Sequence, residues 1–340
     1  MVFGLNNFSF LFSDRLLAGG QAVSFELTPE RLSAGGIKDL SILSVGTVVG
    51  VRDTEMQRAL ITTADLITPT LKFHAEGDIK QSYMLGTTPL NGAIAPMATA
   101  AGQFEGRNWL VNVHQEPVIQ SILSYAGLND PFSSRSRGRV VRSGANGAYT
   151  FALGHDYWLS FSGRADYYWG KDVVGNFGAE GGMAGGKTIA TSMGSLTLGV
   201  FLSNMHFERN VNFYTFGQGG YYSPNYLFAA GPFLNFEYKA GEKIRWKTEL
   251  SVNRFHSETD DAPFFPLQNE RPGESRFAGS VKDGIGYRLG AEGRYLVTPY
   301  VDIGGRFSLE QAAAFSDMSA NLGIRIYFSP RNSLADSTGF

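Results

Sequence analysis

The segment from Tyr226 to Lys239 alternates at period two, and this constrains the fold more than any other feature of the chain. A strand exposes successive side chains to opposite sides, so this segment has one apolar face and one polar face. A strand in a membrane β-barrel needs both faces, one for lipid and one for a water-filled interior. The apolar face carries Tyr226, Phe228, Ala230, Pro232, Leu234, Phe236 and Tyr238, and the other carries Gly231, Asn235, Glu237 and Lys239.

The same alternation recurs along the C-terminal half of the chain. Leu196, Leu198 and Val200 alternate with polar or small residues, and the segments 157–169, 244–255 and 287–295 behave alike. In the segments 157–169 and 287–295 the charged residues share one face, and in 244–255 Arg245, Lys247 and Glu249 do so. We expect this face to line the lumen, and its predicted charged residues are Arg164, Asp166, Arg245, Lys247, Glu249, Arg288, Glu292, Arg294, Asp302 and Arg306.

Alternation also occurs in soluble sandwiches, but the ends of these segments favour a membrane. Aromatic residues cluster there, as in the interfacial girdles of outer-membrane barrels: Tyr149, Tyr167, Tyr168, Trp169, Tyr221, Tyr222, Tyr295 and Tyr300. Only 18% of residues are charged, mean hydropathy is −0.11, and no apolar run is long enough for a membrane helix. The sequence therefore predicts an all-β, antiparallel transmembrane barrel of about 16 strands over residues 1–328, with a mobile periplasmic tail at 329–340.

Two N-terminal features depart from this pattern. Between Thr28 and Asp65, the segment 37–50 is compatible with a strand, whereas 51–65 predicts a short helix or an irregular loop. The first residues lack the charged start, apolar core and cleavage site of a secretory signal. Because an outer-membrane protein must be exported, we expect a mature fragment, a detached domain or a truncated reading frame.

Other function classes find little support. A net charge of −2 and a pI near 6.2 give no field for nucleic acid. The residues Gly181, Gly186, Lys187 and Thr188 match a phosphate-loop spacing, but their surroundings predict a strand without the required helix. We expect no enzyme activity, metal or cofactor, because no histidine pair has metal-site spacing among His74, His114, His155, His206 and His256.

Three sequence blocks resemble the C-terminal barrel of the cellulose synthase operon protein C family, the outer-membrane exporter of bacterial cellulose. They are GTTPLNG at 86–92, EPVIQSILSYAGLNDP at 116–131 and the segment 216–253, which begins FGQGGYYSP. Weaker similarities lie at 26–36 and in APFFPL at 262–267. The third block contributes a motif turn made of Phe216, Gly217, Gly219, Gly220, Tyr221, Tyr222, Ser223 and Pro224.

The chain departs from this family in two respects. The family usually has Trp-Gly-Gly-Val where this chain has Arg137 to Val140, so a cation replaces a packing aromatic residue. Family members also carry a signal peptide and a periplasmic array of tetratricopeptide repeats, and no helical repeat of that period occurs in these 340 residues. The resemblance implies a barrel that contacts outer-membrane lipid and reaches the synthase complex through such a repeat region.

The resemblance also implies a conduit in the outer membrane for cellulose or a related exopolysaccharide. Trp158 and Tyr168 share the inward register and are candidates for stacking on sugar rings, or else for the membrane girdle. The lumen charges exchange hydrogen bonds with the polymer, or else brace the wall through cross-strand pairs. The motif turn shapes an opening, or its glycines only supply turn geometry. The alternative functions are a diffusion porin and a non-conducting structural or adhesive barrel.

Overall fold

The computed structural model is built of strands throughout its described part, which comprises residues 2–13, 16–27, 37–54, 57–68, 70–75, 79–88, 97–118, 140–213, 215–238, 241–267, 275–312, 316–327, 330 and 332–334. Within those residues no helix is long and apolar enough to cross a bilayer. The strands are β1 Val2–Ser13, β2 Leu16–Leu27, β3 Ile37–Thr54, β4 Gln57–Thr68, β5 Thr70–Ala75, β6 Lys80–Thr88, β7 Met97–Glu105, β8 Trp109–Pro117, β9 Val141–Gly154, β10 Tyr157–Gly170, β11 Val173–Thr191, β12 Gly194–Phe207, β13 Tyr226–Tyr238, β14 Ile244–Thr259, β15 Ala262–Pro263, β16 Arg276–Phe277, β17 Ser280–Thr298, β18 Val301–Gln311 and β19 Ser316–Tyr327.

All strands except β15 and β16 belong to one antiparallel sheet whose pairings return to their first strand. Phe3 of β1 lies opposite Phe25 of β2 and also opposite Ile326 of β19. The described strands thus follow one another in a circular succession of antiparallel pairings, which is the arrangement of a barrel. The predicted antiparallel β-barrel is thus confirmed.

The number of strands depends on how β4 and β5 are counted. The described sheet has 17 strands, but β4 and β5 lie on either side of Pro69 and pair with successive parts of β3. The predicted number of about 16 strands therefore stays a prediction.

The structure contradicts the predicted helix or loop at 51–65. Val51–Thr54 ends β3, and β4 starts at Gln57 and runs to Thr68. The two strands form an antiparallel hairpin in which Thr54 lies opposite Gln57. Pairing with β3 supplies hydrogen bonds that a window of the sequence cannot show, so tertiary context overrides the weak local pattern.

The outer face of the sheet carries a band of exposed apolar side chains. Val200 of β12 is 63% exposed and Ile285 of β17 is 69% exposed, values that fit contact with lipid. Tyr157 and Tyr295 lie exposed near one end of their strands, with Tyr300 in the turn there, and Tyr167 and Tyr226 lie near the other end. The outer surface is therefore that of a membrane-spanning barrel with aromatic residues at both borders.

The two ends of the barrel differ in the length of their connections. The turns at 155–156, 192–193 and 299–300 are tight and lie at one end, whereas the strand ends that border the long connections 118–140, 208–225 and 260–279 all lie at the other. Outer-membrane barrels have short periplasmic turns and longer extracellular loops. We therefore refer to the periplasmic end and the extracellular end.

The tail contacts the periplasmic end. Leu334 is 2% exposed and packs against inward-facing Leu296, and its amide donates to the carbonyl oxygen of Glu242 at 2.8 Å. The prediction of a mobile tail is therefore wrong at Leu334, which is anchored by a contact between segments distant in sequence.

We expect Leu334→Ala to release the tail, since truncating a buried leucine costs about 2–5 kcal/mol. The variant should lose its C-terminal residues faster under limited proteolysis while the barrel stays intact. Asn332→Ala, which changes an exposed side chain, is the matched control. Equal cleavage rates for Leu334→Ala and the parent would contradict an anchoring role.

Candidate functional site

The strand register places the predicted lumen residues on the face opposite the apolar band. Arg288 lies opposite Glu310, and Glu292 lies opposite Lys247 and Arg306. The same face carries the other predicted residues, namely Trp158, Arg164, Asp166, Tyr168, Arg245, Glu249, Arg294 and Asp302. Their contact with a polymer stays a prediction.

Asp166 is the centre of a buried charge cluster in the extracellular half of the lumen. Its carboxylate lies 3.0 Å from Nε2 of His114 and 3.2 Å from Nε of Arg164, and its side chain is fully buried. Arg142 approaches to 3.9 Å. Because charges removed from water need partners, this arrangement identifies Asp166 as part of the wall structure. His114 was not singled out by the sequence, because its partner is distant along the chain.

Two further ion pairs extend this cluster toward the open lumen. Nε of Arg142 donates to Glu116 at 3.0 Å, and Nη2 of Arg164 donates to Glu180 at 2.7 Å. These four side chains are about one quarter to one third exposed, unlike Asp166. They can therefore exchange hydrogen bonds both with one another and with a molecule in the lumen.

These pairs line a polar cavity of about 530 Å³. Asn112 and Asn146 contribute to it, and Nδ2 of Asn112 donates to Oδ1 of Asn146 at 3.2 Å. The lining combines amide, carboxylate and guanidinium groups, which can both donate to and accept from sugar hydroxyls. Its balance of charges gives no strong preference for one sign of ion.

The motif turn at 216–224 folds back over the extracellular end of β11 and β12. The amide of Val174 donates to the carbonyl oxygen of Gly217, and the amide of Val211 donates to Oγ of Ser223. Gly217 and Gly220 adopt φ values of 93° and 69°, which other residues rarely adopt. The glycines thus supply turn geometry within a loop that packs against the inward face.

Tyr221 holds this loop in place by stacking on Tyr168. The ring centroids are 4.7 Å apart with an interplanar angle of 19°, and each residue is 1% exposed. Phe207 packs beside them, with its ring centroid 5.3 Å from that of Tyr168. Both rings are buried, so neither belongs to the membrane girdle, and the sequence did not predict this because the covering loop is remote from β10 in the chain. Contact of Tyr168 with sugar rings stays a prediction.

The loop at 260–279 forms hydrogen bonds with the loop at 208–225. Nε2 of Gln218 donates to the carbonyl oxygen of Pro263 at 2.7 Å, and Nδ2 of Asn210 donates to that of Asp260 at 2.7 Å. The rings of Phe213 and Phe277 stack with centroids 3.8 Å apart. The block at 262–267 therefore contacts the motif turn, which the sequence did not predict.

At the periplasmic end, Arg294 and Asp302 form a buried ion pair. Their side chains are 5% and 0% exposed, and a nitrogen of the guanidinium group contacts the carboxylate. This burial favours the bracing role over contact with a polymer for these two residues. The segment at 181–188, which matches a phosphate-loop spacing, lies inside β11 and is extended throughout. Arg137, the departure from the family motif, lies outside the described residues.

Comparisons with known proteins agree with this geometry. The family described as "Cellulose synthase operon protein C C-terminus" matches residues 5–329. The chain is 27% identical over 279 residues to cellulose synthase operon protein C of Xanthomonas axonopodis pv. citri (strain 306), covering 72% of this chain and 18% of that protein. It is 25% identical over 330 residues to the protein of that name from Pseudomonas fluorescens (strain SBW25), covering 93% of this chain and 25% of the relative.

A solved structure described as "Bacterial polysaccharide outer membrane secretin" has the same fold. Its TM-score is 0.54 at 11% identity, and the match covers 96% of this chain and 98% of that one. The exposed apolar band and this fold are those of a β-barrel in the bacterial outer membrane. The chain spans only a fifth to a quarter of the length of the relatives named above. Since the family match extends over nearly all of its residues, the chain belongs to the family of the cellulose synthase operon protein C C-terminus.

Proposed function

We propose that this chain is a non-enzymatic outer-membrane conduit for cellulose or a related exopolysaccharide. The observation that carries the proposal is the polar cavity on the inward face, lined by residues such as Asn146, Arg142 and Glu180. We infer the identity of the polymer from the names of the relatives. A lining with charges of both signs suits a neutral chain that carries many hydroxyl groups. A strongly ion-selective pore would favour one sign of charge.

Transport through such a conduit needs many weak contacts. When a hydroxyl of the polymer breaks its hydrogen bond with one amide or carboxylate, it can form another with a neighbouring group of the wall. The polymer is therefore not held at any one point. The driving force comes from polymer synthesis upstream. The proposed partners are the synthase complex, reached through a periplasmic repeat region, and the lipid around the outer face.

The docked loop implies a closed and an open state. Tyr221 and Phe207 pack on the inward face at the extracellular end, and we propose that the loop at 208–225 narrows the exit of the lumen there. The buried rings and the hydrogen bonds to the loop at 260–279 stabilise the closed state. In this proposal, passage of the polymer separates the loop at 208–225 from the wall.

The test is restoration of cellulose export. Cells that make cellulose but lack their exporter barrel receive this chain behind a signal peptide and the repeat scaffold, and surface cellulose is measured at matched outer-membrane abundance. We expect restored polymer. A folded barrel without polymer, combined with steady ion conductance in the absence of a synthase, would contradict the conduit and favour the diffusion porin.

A further inference from the structure

Four neighbouring strands place two aromatic residues on either side of two glycines. In one row across the inward face, Trp158 of β10 lies opposite Gly186 of β11, Gly186 lies opposite Gly199 of β12, and Gly199 lies opposite Phe233 of β13. Only the outer two members of the row carry side chains. Phe233 was not singled out by the sequence, although it shares the polar face of its strand.

The two rings lean toward each other across the glycines. Neighbouring strands are about 4.8 Å apart, so Trp158 and Phe233 start about 14 Å apart along the row. Their ring centroids are nevertheless only 6.1 Å apart, with an interplanar angle of 43°. A methyl group at Gly199 would lie 2.6 Å from the Phe233 ring. The absence of a side chain at Gly199 therefore leaves the space that the Phe233 ring occupies.

Both residues are only partly buried, so the pair presents apolar ring surface to the lumen. A pyranose in a β-1,4-glucan has equatorial hydroxyls and flat apolar faces that pack on aromatic rings. We propose that Trp158 and Phe233 form a stacking platform for glucose rings of a β-1,4-glucan. This inference rests on the proposed function. It identifies the pair as an apolar contact for the polymer near the periplasmic end.

The platform and the polar cavity offer complementary chemistry. The cavity holds Arg164 and Glu180, which lie on the same two strands as Trp158 and Gly186 but nearer the extracellular end. A polymer moving outward meets apolar ring surface first and hydrogen-bonding groups next. A purely structural role is the alternative, because aromatic rings also shield glycines in a sheet.

The experiment is binding of cellohexaose to the purified, folded chain in detergent, measured by isothermal titration calorimetry. We expect Trp158→Ala and Phe233→Ala each to weaken binding about tenfold, and Trp158→Phe, which keeps a ring, to weaken it much less. Trp246→Ala is the matched control, since Trp246 is 45% exposed on the outer face. Each variant is first shown to keep the heat-modifiable mobility of a folded barrel.

The outcomes separate this inference from the proposed function. Unchanged binding in folded Trp158→Ala and Phe233→Ala, or no binding by the parent chain, would overturn the platform even if cellulose export is restored. Binding that depends on both rings, in a chain that does not restore export, would keep the platform and contradict the conduit. Weaker binding in Trp246→Ala of the same size would show that the effect is not specific to the row, and would also overturn the platform.

Discussion

Replacing Tyr221 with alanine is expected to open the extracellular end and raise the ion conductance of single barrels in planar bilayers. The ring is 1% exposed and stacks on Tyr168. Truncating a buried aromatic side chain costs about 3–5 kcal/mol, and here we expect the loss to destabilise the docked position of the loop at 208–225. The ratio of closed to open states should therefore fall by at least about a hundredfold. The closed dwell times in the current trace measure this change directly.

Tyr226→Ala is the control for this prediction. Tyr226 lies near the same end of the barrel but is 39% exposed and belongs to the outer face. Its removal should leave conductance and dwell times as in the parent. If Tyr221→Ala folds normally and conducts no better than the parent, the loop at 208–225 does not close the lumen.

Replacing Asp166 with alanine is expected to destabilise the folded barrel by about 3–5 kcal/mol, the range for removing one partner of a buried ion pair. The carboxylate has no exposure to solvent and faces His114, Arg164 and Arg142. Without it, the buried imidazole of His114 loses its acidic neighbour, and the two guanidinium groups are left with Glu116 and Glu180. The free energy of unfolding in lipid vesicles, obtained from urea titrations, measures the loss.

Asp283→Ala separates burial from charge. Asp283 also faces a histidine, with Nδ1 of His256 at 2.9 Å, but its side chain is 61% exposed on the outer face. An exposed ion pair contributes little to stability, so this variant should unfold like the parent. Equal unfolding free energies for Asp166→Ala and the parent would show that the cluster does not stabilise the wall.

The faces of the strands were readable from the sequence alone. Alternation in segments such as 226–238 separates lipid-facing from lumen-facing positions, and the observed register agrees along β10 to β18. The pattern succeeds because the period of two is a local property of an extended backbone. It was weak at 57–65, where β4 forms by pairing with β3 rather than by a clear pattern of its own.

The burial and the contacts of each inward-facing residue could not be predicted from the alternation. Trp158, Tyr168 and Asp166 share one face of β10, yet the first is partly exposed, the second lies under Tyr221 and the third is enclosed by His114 and two arginines. Apart from Arg164 of the same strand, their partners come from β8, β9, β12, β13 and the loop at 208–225. No spacing within β10 indicates which of these segments reaches it.

The sequence by itself determined the class of fold, the apolar outer face and the family, since alternation and motif blocks are carried by residues close together in the chain. Only the tertiary structure decided which inward side chains remain accessible, which are buried as ion pairs, and that the motif turn packs into the extracellular end. The physical reason is that closing the sheet and folding the loops inward bring together residues from distant strands, and burial depends on those neighbours rather than on the residue itself.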